Sequence, residues 1–490
     1  MLQRRYWRLV LTVLLACVGA VLVAAIRNAD SQVSNETARL AGEPCRIPGY
    51  AHELACGVLE VPLQYGVGVT ATRTLRWYKV PARARYPQAD PVIWIADGPG
   101  VYPTDRAPAI IATLRRVMND RDLIWLEPRG LPPTPEAGCV APGFASMVDR
   151  VEPLARHAGD CRAAWAVWQG AVNLTASAHA DDLERLRSGM GLARVNLLAE
   201  GYGARVADAW AVRYPARIRS MVLDSPSLLV GHQLSLRAVR TATALRKVFA
   251  ACGAHPACAV RFPDSAADLA LVRKSLPDRL VLPHPQIGQA EALEMDDRRL
   301  AIMLERIVKT PARAAALPAA LHAAAKGEWS ALVGLSALGW SAQDGAFAWE
   351  LWLADACQAG TQQEPLPQEA LAAWFFTAAQ QTLAQSCGEQ PATSPMRLET
   401  SRLEVATLGL VGRFDPLSGD ALRDGALRIE VDTGHGVLGL GCAQDVVFRF
   451  IRAGRGVTLE NVDAACLERV PYPTPFVPAE IVLENGKPPA

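Results

Sequence analysis

Charge of one sign is missing from this sequence. Its 490 residues carry 50 lysines and arginines against 49 aspartates and glutamates, a formal net charge of +1. A nucleic-acid binder normally carries a basic excess or patch, so that class is disfavoured. Lysine is scarce among the basic residues, while alanine and arginine are abundant, as in a GC-rich bacterial gene. No Cys-x-x-Cys pair and no histidine-rich ligand spacing occurs, which argues against a structural zinc site. No internal repeat is visible, and no cofactor is expected. What is abundant is apolar: 50% of the residues are hydrophobic, enough for a large core.

The first residues, "MLQRRYWR", are basic, and Leu9 to Ile26 is an unbroken apolar and small-residue run. A basic flank before such a run is an export signal, here long enough to span a bilayer. Residues 1–26 are therefore expected to be a signal peptide or an uncleaved anchor, with Arg4, Arg5 and Arg8 inside and the rest periplasmic or extracellular. Residues 27–44 read as a polar linker. Of 11 cysteines, setting Cys17 aside leaves ten. They fall as sequence-near pairs, which in an exported chain suggests disulfides. Pairing by proximity is Cys45–Cys56, Cys139–Cys161, Cys252–Cys258, Cys357–Cys387 and Cys442–Cys466.

After a β-rich start ("GVLEVPLQY", "TLRWYKVPARAR"), four apolar runs end in turn or charged residues: "PVIWIADGPG", "RDLIWLEPRG", "RVNLLAEGYG" and "RIRSMVLDSP". Two more come late, "EVATLGLVGRFDP" and "ALRIEVDTGHG". Apolar strands alternating with helices predict an α/β fold, a mostly parallel sheet flanked by helices. Residues 232–400 are alanine- and leucine-rich with helical spacing. They read as an inserted helical cap over the sheet's carboxyl edge, where such folds place their ligand sites. The core is then split into 45–231 and 401–490.

The stretch "VNLLAEGYGARVADAWAVRYP", Val195 to Pro215, reads as a strand, a sharp turn and a helix. Asp415 ends a later strand in "GRFDP", and His435 follows the last strand in "TGHGVL". That is the chain order of a nucleophile, acid and histidine triad with the nucleophile on a strand-to-helix elbow. The elbow reads Ala199-Glu200-Gly201-Tyr202-Gly203, so the nucleophile position is Gly201 and has no hydroxyl.

On these residues the chain resembles the exported tripeptidyl-aminopeptidase and proline-iminopeptidase-like branch of the α/β-hydrolases. "CGVLEVPLQY", "IADGPG", "DLIWLEPRGLPPTPEAGC" and "AEGYGARVADAWAVRYPARIRSMVLDSP" match that family's pattern, and the likeness runs from about Cys45 to Cys466. It implies an α/β-hydrolase fold with an inserted helical cap, Asp415 as acid, His435 as base, and cleavage of short peptides from their N-terminus or of related amides and esters. The oxyanion loop would be Asp97, Gly98, Pro99 and Gly100, with the Tyr202 N–H. The departures cluster on catalysis: Gly201 for serine, Asp97 for the first loop glycine after Ala96, Glu127 for aspartate, Pro132 for glycine. An inward Asp97 carboxylate would oppose the charge an oxyanion hole stabilises.

The resulting expectation is a catalytically degenerate hydrolase that binds a peptide-like or acyl small molecule, or a protein partner. It comes with His435 facing Gly201 across an empty space the size of a hydroxymethyl group, and with Glu200 and Tyr202 in surface or packing roles. Two alternatives stand beside it. One is an active peptidase or esterase using another nucleophile, such as Ser225 or Ser227 in "LDSPS". The other, weaker, is a dinucleotide site at Gly201-x-Gly203 with Asp224 on the ribose; position 206 is Val where a third small residue belongs.

Overall fold

The computed structural model describes Leu40, residues 42–66, 71–132, Cys139, and residues 154–169, 174–227, 234–285, 287–337, 347–358, 364–387, 405–418, 422–454 and 458–478. The segment read as an export signal, residues 1–26, lies outside the described residues. Among the described residues no helix is long and apolar enough to cross a membrane.

Nine strands form one sheet in the order β1-β2-β3-β5-β4-β6-β7-β10-β11. They are β1 (Glu43–Cys45), β2 (Leu54–Pro62), β3 (Thr72–Val80), β4 (Val92–Ile95), β5 (Leu123–Leu126), β6 (Val195–Glu200), β7 (Ile218–Asp224), β10 (Ala406–Gly412) and β11 (Leu427–Val431). The strands β1, β2 and β3 pair antiparallel, as do β3 and β5, and all later pairings are parallel. Strand β1 begins inside the segment read as a linker, because Glu43 and Pro44 pair with Cys56 and Ala55.

The central strands "VIWI", "LIWL" and "VNLLAE" are buried at every position. A strand covered on both faces needs apolar residues on both, which is why these runs do not alternate. Along β4, Val92 and Trp94 point into one core with Ile110 and Ile111 of α1 (Pro103–Thr113), while Ile93 and Ile95 point into the opposite core. That second core is closed by Leu183 and Leu186 of α2 (Ala176–Gly189) and by Val206 and Trp210 of α3 (Gly203–Arg213). On the first face α4 (Ala443–Ala453) contributes Val446, Val447 and Phe450, the spacing of a helix with one apolar stripe.

The insertion between β7 and β10 has its own core. It includes α5 (Leu234–Ala254), α6 (Asp297–Lys309), α7 (Trp349–Gln358) and α8 (Ala370–Cys387). It is not purely helical: β8 (Asp278–Pro283) and β9 (Ala290–Met295) form an antiparallel hairpin. Their alternating exposed and buried residues are a strand pattern lost in a helix-rich background. The helix Leu154–Gln169, assigned from sequence to the core's first part, packs on α7 and α8, with Cys161 in the cap's core.

All five cysteine pairs expected from proximity are disulfides, with Cα separations from 4.9 to 6.2 Å. They close loops of 6 to 30 residues. A bridge of this kind contributes about 2–4 kcal/mol, chiefly by restricting the unfolded chain. Full reduction, checked by thiol titration, is therefore expected to lower the thermal midpoint by well over 10 °C or to abolish refolding. An unchanged midpoint in fully reduced protein would show that the native core suffices without the bridges.

Candidate functional site

The elbow forms where β6 ends and α3 begins. Gly201 has φ +48°, a left-handed conformation that glycine adopts without strain. Gly203 is required for closeness: a Cβ there would lie 2.6 Å from the Ile95 carbonyl and 2.7 Å from that of Ala96. The turn is thus pressed against the end of β4, which continues into Asp97, Gly98, Pro99 and Gly100.

From that loop the Asp97 carboxylate reaches over Gly201. Its Oδ1 accepts hydrogen bonds from the backbone N–H of Gly98 and of Tyr202, each 2.8 Å. Its Oδ2 lies 3.1 Å from His435 Nε2. The other ring nitrogen, Nδ1, lies 2.8 Å from Asp415 Oδ2. Asp415 is fully buried, and its oxygens accept from the Leu417 N–H at 2.8 Å and from the Ser418 hydroxyl. Asp415, His435 and Gly201 are therefore brought together as the chain order predicts. The space between His435 and Gly201 is not empty, however. A Cβ on residue 201 would stand 2.9 Å from Asp97 Oδ2 and closer still to Oδ1 and Cγ. The sequence could place Asp97 on the loop but not its carboxyl over the elbow, which depends on the docking of β4 beside β6.

Both ring nitrogens of His435 face carboxylates, so both carry hydrogen in this arrangement. Burial pulls the imidazole pKa down, but the charge and hydrogen bond of Asp415, with the hydrogen bond of Asp97, outweigh it against Lys309, and the result is about 9. Burial pushes Asp97 up, yet the hydrogen bond and charge of His435, with Lys309 and the Tyr202 N–H, hold it well below the usual carboxylate range. Asp415 is also lowered: burial opposes, and His435 prevails. The site is an anion–cation–anion string in which the central group is an imidazolium at neutral pH.

No hydroxyl stands on the elbow, and the Gly98 and Tyr202 N–H groups both donate to the Asp97 carboxylate.

Of the remaining sequence candidates, Ser227 lines the cavity beside Asp97 and His435 and its N–H donates to the Gly201 carbonyl at 3.0 Å, while the others have structural roles. Glu200 is buried, accepts from Trp94 Nε1 at 2.8 Å and pairs with Arg106 at 3.6 Å; a surface role is excluded. Burial raises its pKa to about 7, with Asp224 and Asp97 adding and Arg106 opposing. The Tyr202 ring lies 5.3 Å from the Arg205 guanidinium. Asp224 accepts from the N–H groups of Val437 and Leu438 at 2.8 and 3.0 Å, engagement that removes it as a ribose contact. Ser225 is buried at φ +49° and accepts from the Gly436 N–H at 2.8 Å, so it orients the histidine loop. The Arg129 of "EPRG" is buried in an ion pair with Asp182. Among the described residues no three His, Cys, Asp or Glu side chains converge in a metal site.

The cap closes over this centre. The Lys309 carbonyl at the end of α6 accepts from the His435 N–H at 3.0 Å, and the Ala348 N–H donates to the Gly100 carbonyl at 2.8 Å. Beneath it lies a cavity of about 530 Å³ with Asp97, Tyr202 and His435 on its floor.

The family described as the alpha/beta hydrolase fold matches residues 132–296, a stretch that includes the elbow but neither Asp97 nor the Asp415 and His435 segments. Serine protease Hip1 of Mycobacterium tuberculosis is 25% identical over 241 residues, 43% of this chain and 44% of that protein. Putative hydrolase YuaR of Escherichia coli is 26% identical over 197 residues, 35% of this chain and 36% of that protein. The chain thus spans less than half the length of these curated relatives. A solved proline iminopeptidase of Mycobacterium smegmatis is 13% identical, with 84% of this chain and 100% of that chain covered and a TM-score of 0.30, values that carry no functional comparison. Sheet order, elbow and matched segment together give the chain the α/β-hydrolase fold, with a serine protease and a hydrolase among its relatives.

Proposed function

We propose that this chain does not hydrolyse its ligand through an elbow serine. It binds a peptide-like or acyl small molecule, or a segment of a partner protein, in the cleft beneath the cap. The observation that carries this reading is the Asp97 carboxylate, which lies on the Gly98 and Tyr202 N–H groups and against His435. Removing the nucleophile of a serine hydrolase costs about 10⁶ in kcat, or roughly 8 kcal/mol. Asp97 is a poor replacement, because a carboxylate held ionised by an imidazolium and two N–H groups is stabilised against attack on an acyl carbon.

Five disulfides and the similarity to Hip1 fit an exported protein. We place the folded part on the outer side of a membrane, with residues 9–26 as its anchor or leader.

A fluorophosphonate probe tests the non-hydrolytic reading, since it reacts with an activated serine. No labelling of the purified full chain is expected, and no turnover of small esters or aminoacyl amides above the His435→Ala variant. Turnover abolished by both His435→Ala and Asp97→Ala would overturn the reading and make Asp97 the reacting group.

A further inference from the structure

The end of the sheet opposite the cleft carries positive charge that the fold itself does not use. Parallel strands all begin on one side, so the residues just before β4, β5, β6 and β7 share an edge. Arg194 immediately precedes β6 and Arg217 immediately precedes β7, and these neighbouring strands start at the pair Val195–Ile218. The loop between β3 and β4 carries Arg83 and Arg85. It is fastened to the segment entering β5, where the N–H groups of Arg83, Ala84 and Gln88 donate to the Met118, Asn119 and Asp120 carbonyls at 3.0, 2.8 and 2.7 Å. Arg115 lies in that same segment, beyond the end of α1. All five arginines are exposed, and among the described residues none is paired with a carboxylate.

The acids between them are engaged. Asp90 binds Arg121 and Arg219 at 3.3 and 3.4 Å, Asp120 binds Arg121 at 3.1 Å, and Asp122 lies 3.9 Å from Lys79. Exposed acids without an ion pair are kept to the margins. Glu43 is on β1 and Asp424 precedes β11, the two outermost strands, and Glu460 is on the short helix after α4. Helix dipoles do not account for the five arginines. A cation in the last turn complements a helix C-terminus, and Arg187, Arg213 and Arg452 stand there in α2, α3 and α4, whereas the five lie outside those turns. In the β3–β4 loop Tyr86 is 79% exposed, with the Arg85 guanidinium 5.5 Å from its ring.

These features select what meets the edge. Cations gathered on one surface are complemented by an extended counter-charge, which anionic phospholipid headgroups present. An exposed tyrosine beside arginines suits the boundary between headgroups and water. The chain also joins the sheet here: Cys45 of β1 pairs with Leu54, and the pairs Ala55–Lys79 and Val80–Leu123 put that point level with the start of β5. Only residues 27–39 separate Leu40 from the apolar run ending at Ile26, a reach of at most about 45 Å. We propose that the arginine edge docks on the anionic phospholipid headgroups of the membrane that tethers the chain, so that cap and cleft point away from the bilayer. The proposal rests on the outward, tethered placement given above and is independent of the ligand of the cleft.

The test reconstitutes the full chain in nanodiscs of phosphatidylcholine alone and of phosphatidylcholine with about one third phosphatidylglycerol, an anionic lipid. Hydrogen exchange then follows the backbone of residues 82–88, 190–194 and 214–217. Slower exchange of these segments is expected in the anionic discs only, with 347–358 in the cap unchanged. Each arginine at an anionic surface strengthens attachment about fivefold. The triple variant Arg83→Gln, Arg85→Gln, Arg115→Gln should therefore exchange as fast in anionic discs as in zwitterionic ones. Raising salt from about 0.05 M to about 0.5 M should do the same to the parent. Arg279→Gln, at a 72% exposed arginine of the cap hairpin, should change nothing. Equal exchange in the two discs, protection that survives salt or the triple variant, protection of the cap instead, or relief by Arg279→Gln as large as by the triple variant would overturn the proposal. So would a DNA duplex that protects the same segments as strongly as the lipid does, since the edge would then be a general polyanion site. Should the triple variant fail to fold, the salt series on the parent decides. The tethered placement fails separately, if zwitterionic discs do not retain the full chain at high salt; sedimentation of the full chain with free phosphatidylglycerol vesicles then decides the docking.

Discussion

Gly201→Ser alone is expected to stay unreactive toward a fluorophosphonate and to melt below the parent, whereas Gly201→Ser with Asp97→Gly is expected to label readily. The single change adds a Cβ within 2.9 Å of Asp97 Oδ2, and closer to Oδ1 and Cγ, at a position with φ +48°. A left-handed non-glycine residue costs about 1–2 kcal/mol, and expelling Asp97 breaks its two N–H bonds and its contact with His435. Where Asp97 instead keeps its place, His435 stays an imidazolium between two carboxylates and cannot take the hydroxyl's proton.

Removing Asp97 changes all three conditions together. It clears the volume, frees the Gly98 and Tyr202 N–H groups, and leaves His435 one carboxylate partner, Asp415, as the triad geometry requires. Labelling should rise from undetectable to a rate readable within minutes, with a small ester turned over above a double variant that also carries His435→Ala. Labelling of the single variant as fast as the double would mean Asp97 is not the block. A folded double variant that neither labels nor turns over ester would mean that other departures, Glu127 and Pro132 among them, have altered the loop beyond this repair.

Stability is expected to fall as pH rises from about 6.5 to about 9, and Asp97→Asn should flatten that fall. The sign follows from linkage. His435 is raised to about 9 from an ordinary 6.5. In that interval the folded chain holds a proton the unfolded chain has released. The contribution is fully present below about 6.5 and gone above about 9, at most about 3 kcal/mol. On the acid side the signs reverse. Asp97 and Asp415 are lowered, so their contributions are present above about pH 4 and lost as pH falls below it. Glu127 and Glu200, raised to about 7 by burial first of all, act between about 4.5 and 7 in both proteins and largely cancel in the difference. Urea unfolding at pH 6.5 and 9.5, with the His435 ring followed by NMR, measures this directly. An imidazole titrating near 6.5 in the parent, or an unchanged slope in Asp97→Asn, would contradict the paired-carboxylate account.

Much of the scaffold was determined by the sequence itself. Strands buried on both faces must be apolar at every position, so "VIWI", "LIWL" and "VNLLAE" are recognisable without any contact being known. The succession of Gly201, Asp415 and His435 on strand ends marks one edge of the sheet, because parallel strands all end on the same side. Near-neighbour cysteines found each other because short loops close easily.

Only the tertiary structure decided what fills the centre. Asp97 and His435 are 338 residues apart. Whether a loop carboxyl turns over an elbow or into solvent depends on the docking of β4 beside β6, with Gly203 close against the Ile95 and Ala96 carbonyls. The hairpin β8–β9 was hidden for a different reason. Its alternation is short and half-exposed, set among strong helix formers. Local periodicity is a property of the chain, whereas the contents of a cavity belong to elements that meet only on folding.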